Sequence, residues 1–187
     1  MQGFTHQSVK EISMRMRVAV FTVVFFSFIL CVVLNVFSQS YESLTPLLID
    51  LGGWSAESPE GMDLNYGGTK AITATREYSQ RDKSISAAIM VGQQMQGTWN
   101  PVYQEGFRME SSEGSMAVER IRGFLVFHSF DKTESEGAIV ILLQEASPDG
   151  SGGAVFLFGF DGLSKDEAMK LAQKFDWDAM KNRVSKR

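Results

Sequence analysis

Residues 69–91 read TKAITATREYSQRDKSISAAIMV, and the period of this stretch decides the class of the fold. Over residues 69–79, Ala71, Thr73, Thr75 and Glu77 alternate with Ile72, Ala74, Arg76 and Tyr78. Residues 83–91 place Ile85, Ala87, Ile89 and Val91 on a single face. A period of two belongs to a pleated strand, whose successive side chains point to opposite faces. Gln80-Arg81-Asp82 between the two runs is short enough for a hairpin turn. The stretch therefore predicts two antiparallel strands.

Downstream, residues 92–109 are rich in Gln and Gly and carry Trp99, Tyr103 and Phe107. Asn100-Pro101 can open a helix there, and rings at i, i+4 and i+8 would then share one helical face. Such a face either pins the segment over the sheet or forms an apolar groove for a ligand or partner. On the second reading Trp99, Tyr103 and Phe107 are the candidate binding residues. Residues 116–130 follow as one long strand, with Arg122-Gly123 as a bulge inside it. Residues 138–143 and 154–160 are unbroken apolar runs, as expected of strands covered on both faces. A polar, Gly-rich loop, 148–153, lies between them. Ser164 and Glu167 then make a capping box. The helix it opens carries Ala168, Leu171, Ala172, Phe175 and Ala179 as one apolar stripe for packing on the sheet.

Upstream, residues 43–51 read as a short helix with Pro46 in its first turn, stopped by Gly52-Gly53. Trp54 opens an extended piece that runs into a turn at Ser58-Pro59-Glu60-Gly61. The expected fold is α+β, a mostly antiparallel sheet with a C-terminal helix packed on it. It occupies one domain, residues 41–180, between an N-terminal signal or anchor (1–40) and a basic tail (181–187).

The N-terminal segment is a 20-residue apolar run, residues 18–37, long enough to cross a bilayer as a helix. Lys10, Arg15 and Arg17 precede it, which favours a cytoplasmic N-terminus. Val36-Phe37-Ser38-Gln39-Ser40 sets small residues where signal peptidase would cut, after Ser38 or after Ser40. Cleaved or retained, the run puts the rest of the chain outside the cytoplasm. It would be soluble in the periplasm in the first case and anchored in the inner membrane through residues 18–37 in the second. The only cysteine, Cys31, lies inside the run, so the exported part forms no disulfide.

Residues 41–187 carry 15 Lys and Arg against 21 Asp and Glu, a net charge of −6. Four of those cations, Lys181, Arg183, Lys186 and Arg187, fall in the last seven residues, where a solvated, frayed end is expected. A body this acidic repels phosphate backbones and argues against nucleic acid as a partner.

No stretch specifies a reaction. His128, the exported part's one histidine, shares a strand face with Phe124, Val126 and Phe130 and reads as structural. A lone imidazole without cysteines cannot complete a zinc site, and there is no Gly-x-Ser-x-Gly elbow. Tyr66-Gly67-Gly68-Thr69-Lys70 lacks the spacing of a phosphate loop and precedes a strand, so it reads as a turn. Asp161-Gly162 before Ser164 lacks the ladder of oxygen ligands of a calcium loop. Met90, Met95, Met109 and Met116 show no copper-carrier spacing. No cofactor and no metal are expected.

Several phrases together carry a resemblance. They are Gly53-Trp54-Ser55-Ala56-Glu57 with Pro59-Glu60-Gly61, Ala74-Thr75-Arg76-Glu77-Tyr78, and Gly123 opening an apolar strand. The ending Gly162-Leu163-Ser164-Lys165-Asp166-Glu167 before Phe175-Asp176-Trp177 belongs with them. Over residues 44–180 the chain resembles a group of small uncharacterised exported bacterial proteins. Its element order is similar to the PsbP/Mog1-like α+β architecture, and its closing half is similar to extracytoplasmic domains of some anti-sigma factors. The resemblance implies a bacterial envelope location and a non-enzymatic binding or accessory role, docking an envelope protein or an apolar small molecule. Two other classes stay open: a membrane-anchored envelope sensor, and an enzyme with a dispersed site.

Overall fold

The alternating stretch at 69–91 folds as its period requires. In the computed structural model, which describes residues 40–66, 69–92, 104–147 and 152–185, it forms two strands joined by Arg81-Asp82. In chain order the strands are β1 (Ser55–Ala56), β2 (Glu60–Tyr66), β3 (Thr69–Gln80), β4 (Lys83–Gly92), β5 (Arg108–Glu110), β6 (Gly114–Ile121), β7 (Phe124–Asp131), β8 (Glu136–Gln144) and β9 (Ala154–Asp161). Two helices close the chain, α1 (Lys165–Ala172) and α2 (Trp177–Ser185).

All nine described strands join one sheet in the order β1–β3–β4–β9–β8–β7–β6–β5, with β2 also on the outer flank of β3. Every pairing is antiparallel. The expected mostly antiparallel sheet with a C-terminal helix is thus present, with a small helical share.

One face of the sheet is the main core. Ile72, Ala74 and Tyr78 of β3, Ile85, Ala87 and Ile89 of β4, and Phe156, Phe158 and Phe160 of β9 pack there against Ala168, Ala172, Phe175, Trp177, Met180 and Val184. Leu44, Leu48 and Leu51 cover its other end. They come from a segment expected as a short helix, which instead forms two tight 3-10 turns, Tyr41–Ser43 and Thr45–Leu47. Arg76 holds this segment down, donating to the carbonyls of Leu48 (2.7 Å) and Glu57 (2.8 Å) and pairing with Asp50. Tyr78 donates to the Ile49 carbonyl at 2.8 Å. Burial pushes its phenol up to about 12, so it stays a donor. A second apolar layer of Val118, Phe127, Val140 and Val155 is buried on the opposite face. The runs 138–143 and 154–160 therefore carry apolar layers on both faces, buried on the main-core side and, on the other, buried at Val140 and Val155 and half-buried at Ala138, Leu142 and Leu157.

Three further expectations are corrected. Arg122-Gly123 is not a bulge but the whole loop of a hairpin, because Ile121 and Phe124 pair directly across it. Both loop residues have positive φ (51° and 84°), the conformation a two-residue hairpin needs. Glycine supplies this freely. Arg122 is held there by the C-terminal helices, donating to the Gln173 carbonyl at 3.3 Å and lying 5.1 Å over the Trp177 ring.

The closing helix is two helices. Its capping box forms as expected at Ser164 and Glu167. After Ala172, however, the chain turns and the Trp177 indole N–H donates back to the Ala172 carbonyl at 3.0 Å. That bond satisfies one of the orphan acceptors at a helix end. Asp176 then accepts from the Ala179 amide at 2.9 Å and caps a new helix. Phe175 lies between the two helices, fully buried. The basic tail is corrected in part, since residues 181–185 are helical and Val184 is buried.

Candidate functional site

The β6–β7 hairpin brings a buried histidine against a half-exposed carboxylate at the rim of the sheet's main-core face. Its register sets Ala117 opposite His128 and Glu119 opposite Val126, so Glu119 and His128 are diagonal neighbours on one face. His128 Nε2 meets Glu119 Oε1 at 3.0 Å. His128 is 2 % exposed, whereas the Glu119 side chain is half in solvent. Burial first, and the Lys165 ammonium second, pull the imidazole below its ordinary range, and Glu119 only partly opposes them. The ring is therefore neutral near pH 7, with its proton on Nε2 for the carboxylate. Nδ1 is then a buried lone pair, and it has no hydrogen-bond partner.

Beside this pair, where α1 begins over β5, β6 and β7, lies an open recess of about 360 Å³. Arg108, Glu110, Glu119, Lys132, Lys165 and Asp166 supply its charged walls. Glu110 is shared by Arg108 (3.2 Å) and Lys132 (3.4 Å), which hold its carboxyl below the usual range. Lys132 also donates to the Ser111 carbonyl at 2.8 Å. Ser164 enters the wall too, but its hydroxyl donates to Glu167 at 2.7 Å and accepts from the Glu167 amide. The recess thus presents charges of both signs, several already paired. That arrangement suits docking a polar surface better than activating a nucleophile.

Of the sequence-derived patch, Trp99 and Tyr103 lie outside the described residues, as does the helix start expected at Asn100-Pro101. The shared helical face is corrected at Phe107, which is not helical but ends a turn, its amide donating to the Gln104 carbonyl at 2.9 Å just before β5. Phe107 is half-buried and packs on the second apolar layer, opposite to the recess. Met109 and Met116 face each other directly across β5 and β6, whereas Met90 is on β4, four strands away from β6. Met95 lies outside the described residues. The reading of His128 as structural fits its burial, but sequence reasoning missed Glu119. A hairpin placed at Arg122-Gly123 would have found it, since that turn alone fixes the diagonal.

Among the described residues, no three His, Cys, Asp or Glu side chains converge as a metal site. No described helix is long and apolar enough to cross a membrane. No family model, curated protein or solved structure matches this chain.

Proposed function

We propose that the chain is an exported, non-enzymatic binding or accessory domain of the bacterial envelope, with an architecture similar to PsbP/Mog1-like domains. Its recess docks a protein partner. Export is supported by the apolar run at 18–37, the cations before it and the small residues at Ser38 and Ser40. The observation that carries the binding role is the recess itself, where walls from β5, β6, β7 and α1 present both signs of charge to solvent. A shallow mixed-charge surface selects partners by complementary charge and rejects them by like charge. It offers an apolar small molecule little burial, which makes a protein the better occupant.

The test is affinity capture from the native envelope with the wild-type chain and with the Lys132→Glu/Lys165→Glu double variant, at low and moderate salt. A partner held by the wild type, lost from the variant and weakened by salt is the expected result. Identical captured sets from both chains, with circular dichroism showing both folded, would overturn docking at the recess.

A further inference from the structure

The outer flank of the sheet carries an unusual strand. All seven residues of β2 are exposed. Met62, Leu64 and Tyr66 are 57 %, 46 % and 81 % exposed. They share one face, opposite Thr73, Ala71 and Thr69, on the side of the sheet that holds the second apolar layer. The other face of β2 is tied to the domain. Asp63 accepts from the Tyr41 amide at 2.9 Å, and the Tyr41 ring lies so close over Gly61 that a Cβ there would collide with it.

The register also fixes where the backbone of β2 points. Glu57 donates to the Glu77 carbonyl at 3.0 Å, so the odd-numbered residues of β3 turn their polar groups to this flank. By the alternation of an antiparallel ladder, Thr75, Thr73 and Ala71 bond to Glu60, Met62 and Leu64. Gly61, Asp63 and Asn65 then point their amides and carbonyls outward, and among the described residues β2 pairs only with β3. Edge strands that stay solitary carry charges, lysine above all, or proline or a bulge. Of the two charges on β2, Asp63 is engaged by the Tyr41 amide and Glu60 stands at its first residue. The sequence EGMDLNY has neither lysine nor proline, and its pairing with β3 is continuous.

We propose that β2 pairs antiparallel with β2 of a second copy, with the two-fold axis at Leu64, joining two sheets into one. In this register Asp63 lies opposite the partner's Asn65, and these outward-facing residues exchange both backbone bonds. On the apolar face Leu64 meets the partner's Leu64, and Met62 meets the partner's Tyr66, a thioether against a ring. These fall in non-hydrogen-bonded pairs, where cross-strand side chains come closest. The neighbouring register, with its axis at Asp63, sets two carboxylates face to face and puts Tyr66 against Glu60. Like charges directly opposite each other oppose pairing. Self-complementarity at one register is what commits the edge to a second copy, since a C2 interface uses the same patch twice. Three side chains and five backbone pairs make a small interface beside the roughly 800 Å² per partner of a standard one. The dimer is therefore reversible and concentration-dependent.

The test uses single cysteines in a Cys31→Ser background, in the chain as purified from its host. Leu64→Cys places two thiols across the axis with Cα atoms about 4.5 Å apart, within disulfide reach. It is expected to give a covalent dimer under mild oxidation, while Met62→Cys and Asp63→Cys stay monomeric. Sedimentation of the unmodified chain should shift from one-chain to two-chain mass with concentration, and Leu64→Lys should abolish the shift. A concentration-independent monomer would overturn the proposal, as would Asp63→Cys cross-linking faster than Leu64→Cys. So would an edge occupied only by a strand from a different protein.

Discussion

Arg122 and His128 are the residues whose positions are least explained by their own chemistry. Arg122 accepts a left-handed backbone because its guanidinium bridges to the Gln173 carbonyl, the Trp177 ring and, at 3.7 Å, Asp178. It fastens the β6–β7 turn to the helices across 51 residues of sequence. His128 has a buried bare nitrogen, and its protonation is opposed by burial, by Lys165 at the start of α1 and by Arg108 on β5, with Glu119 on β6 favouring it. Its folded pKa thus lies below the ordinary value of about 6.5, which an unfolded histidine keeps. Below about pH 6.5 the unfolded chain takes up a proton that the folded one refuses, so stability present above that pH is lost as pH falls towards the folded value. Urea midpoints should drop between pH 7.5 and pH 5.5 in the wild type and stay level in His128→Leu. The depressed carboxyls of Glu105, Glu110 and Glu167 titrate below that window. The apolar company of His128 was legible from its spacing to Phe124, Val126 and Phe130. Its partner was not, because a register depends on the turn, and Arg-Gly resembles a bulge until the strand is seen to reverse.

At the scale of elements, two contributions to the helical layer differ in kind. The capping box of α1 satisfies backbone donors at an exposed end, and Ser164→Ala should cost about 1 kcal/mol. Phe175 belongs to neither helix, yet its ring lies 5.0 Å from Phe156, 6.0 Å from Phe158 and 6.3 Å from Tyr78. Phe175→Ala should therefore cost about 3–5 kcal/mol, and thermal melts of the two variants should rank in that order. Equal losses would show that the linker does not anchor the helices. The 3.6-residue stripe through Phe175 and Ala179 concealed the break, because a buried linker can keep the same apolar spacing. Asp176, a helix-capping residue, was the overlooked sign of a restart. β2 was missed for the opposite reason. It buries neither face, and although Met62, Leu64 and Tyr66 alternate with Asp63 and Asn65, the turn signals at Pro59 and Gly61 masked that short period. The β3–β4 hairpin and the runs of β8 and β9 were legible because burial on defined faces dictates their residues.

At the scale of the whole molecule, the start of the domain bears on the proposed cleavage of an N-terminal leader. Tyr41 donates its amide to Asp63, so cleavage after Ser40 would leave a new α-ammonium beside that carboxylate. N-terminal sequencing from the native host should give Gln39 or Tyr41, with Tyr41 favoured by this contact. Intact residues 1–37 in the membrane fraction would instead establish a retained anchor.

The order of strands also has a temporal side. Of the described strands β9 is made last, yet it sits between β4 and β8 and joins the two halves of the sheet. A chain leaving the ribosome N-terminus first presents β1–β4 and β5–β8 as separate partial sheets, each with a raw edge. Pairings of such long sequence separation form slowly. The fold cannot lock until residue 161 has emerged and the helices after it can cover the face. Late closure of this kind leaves the earlier strands loose as they are made and concentrates folding into one terminal event.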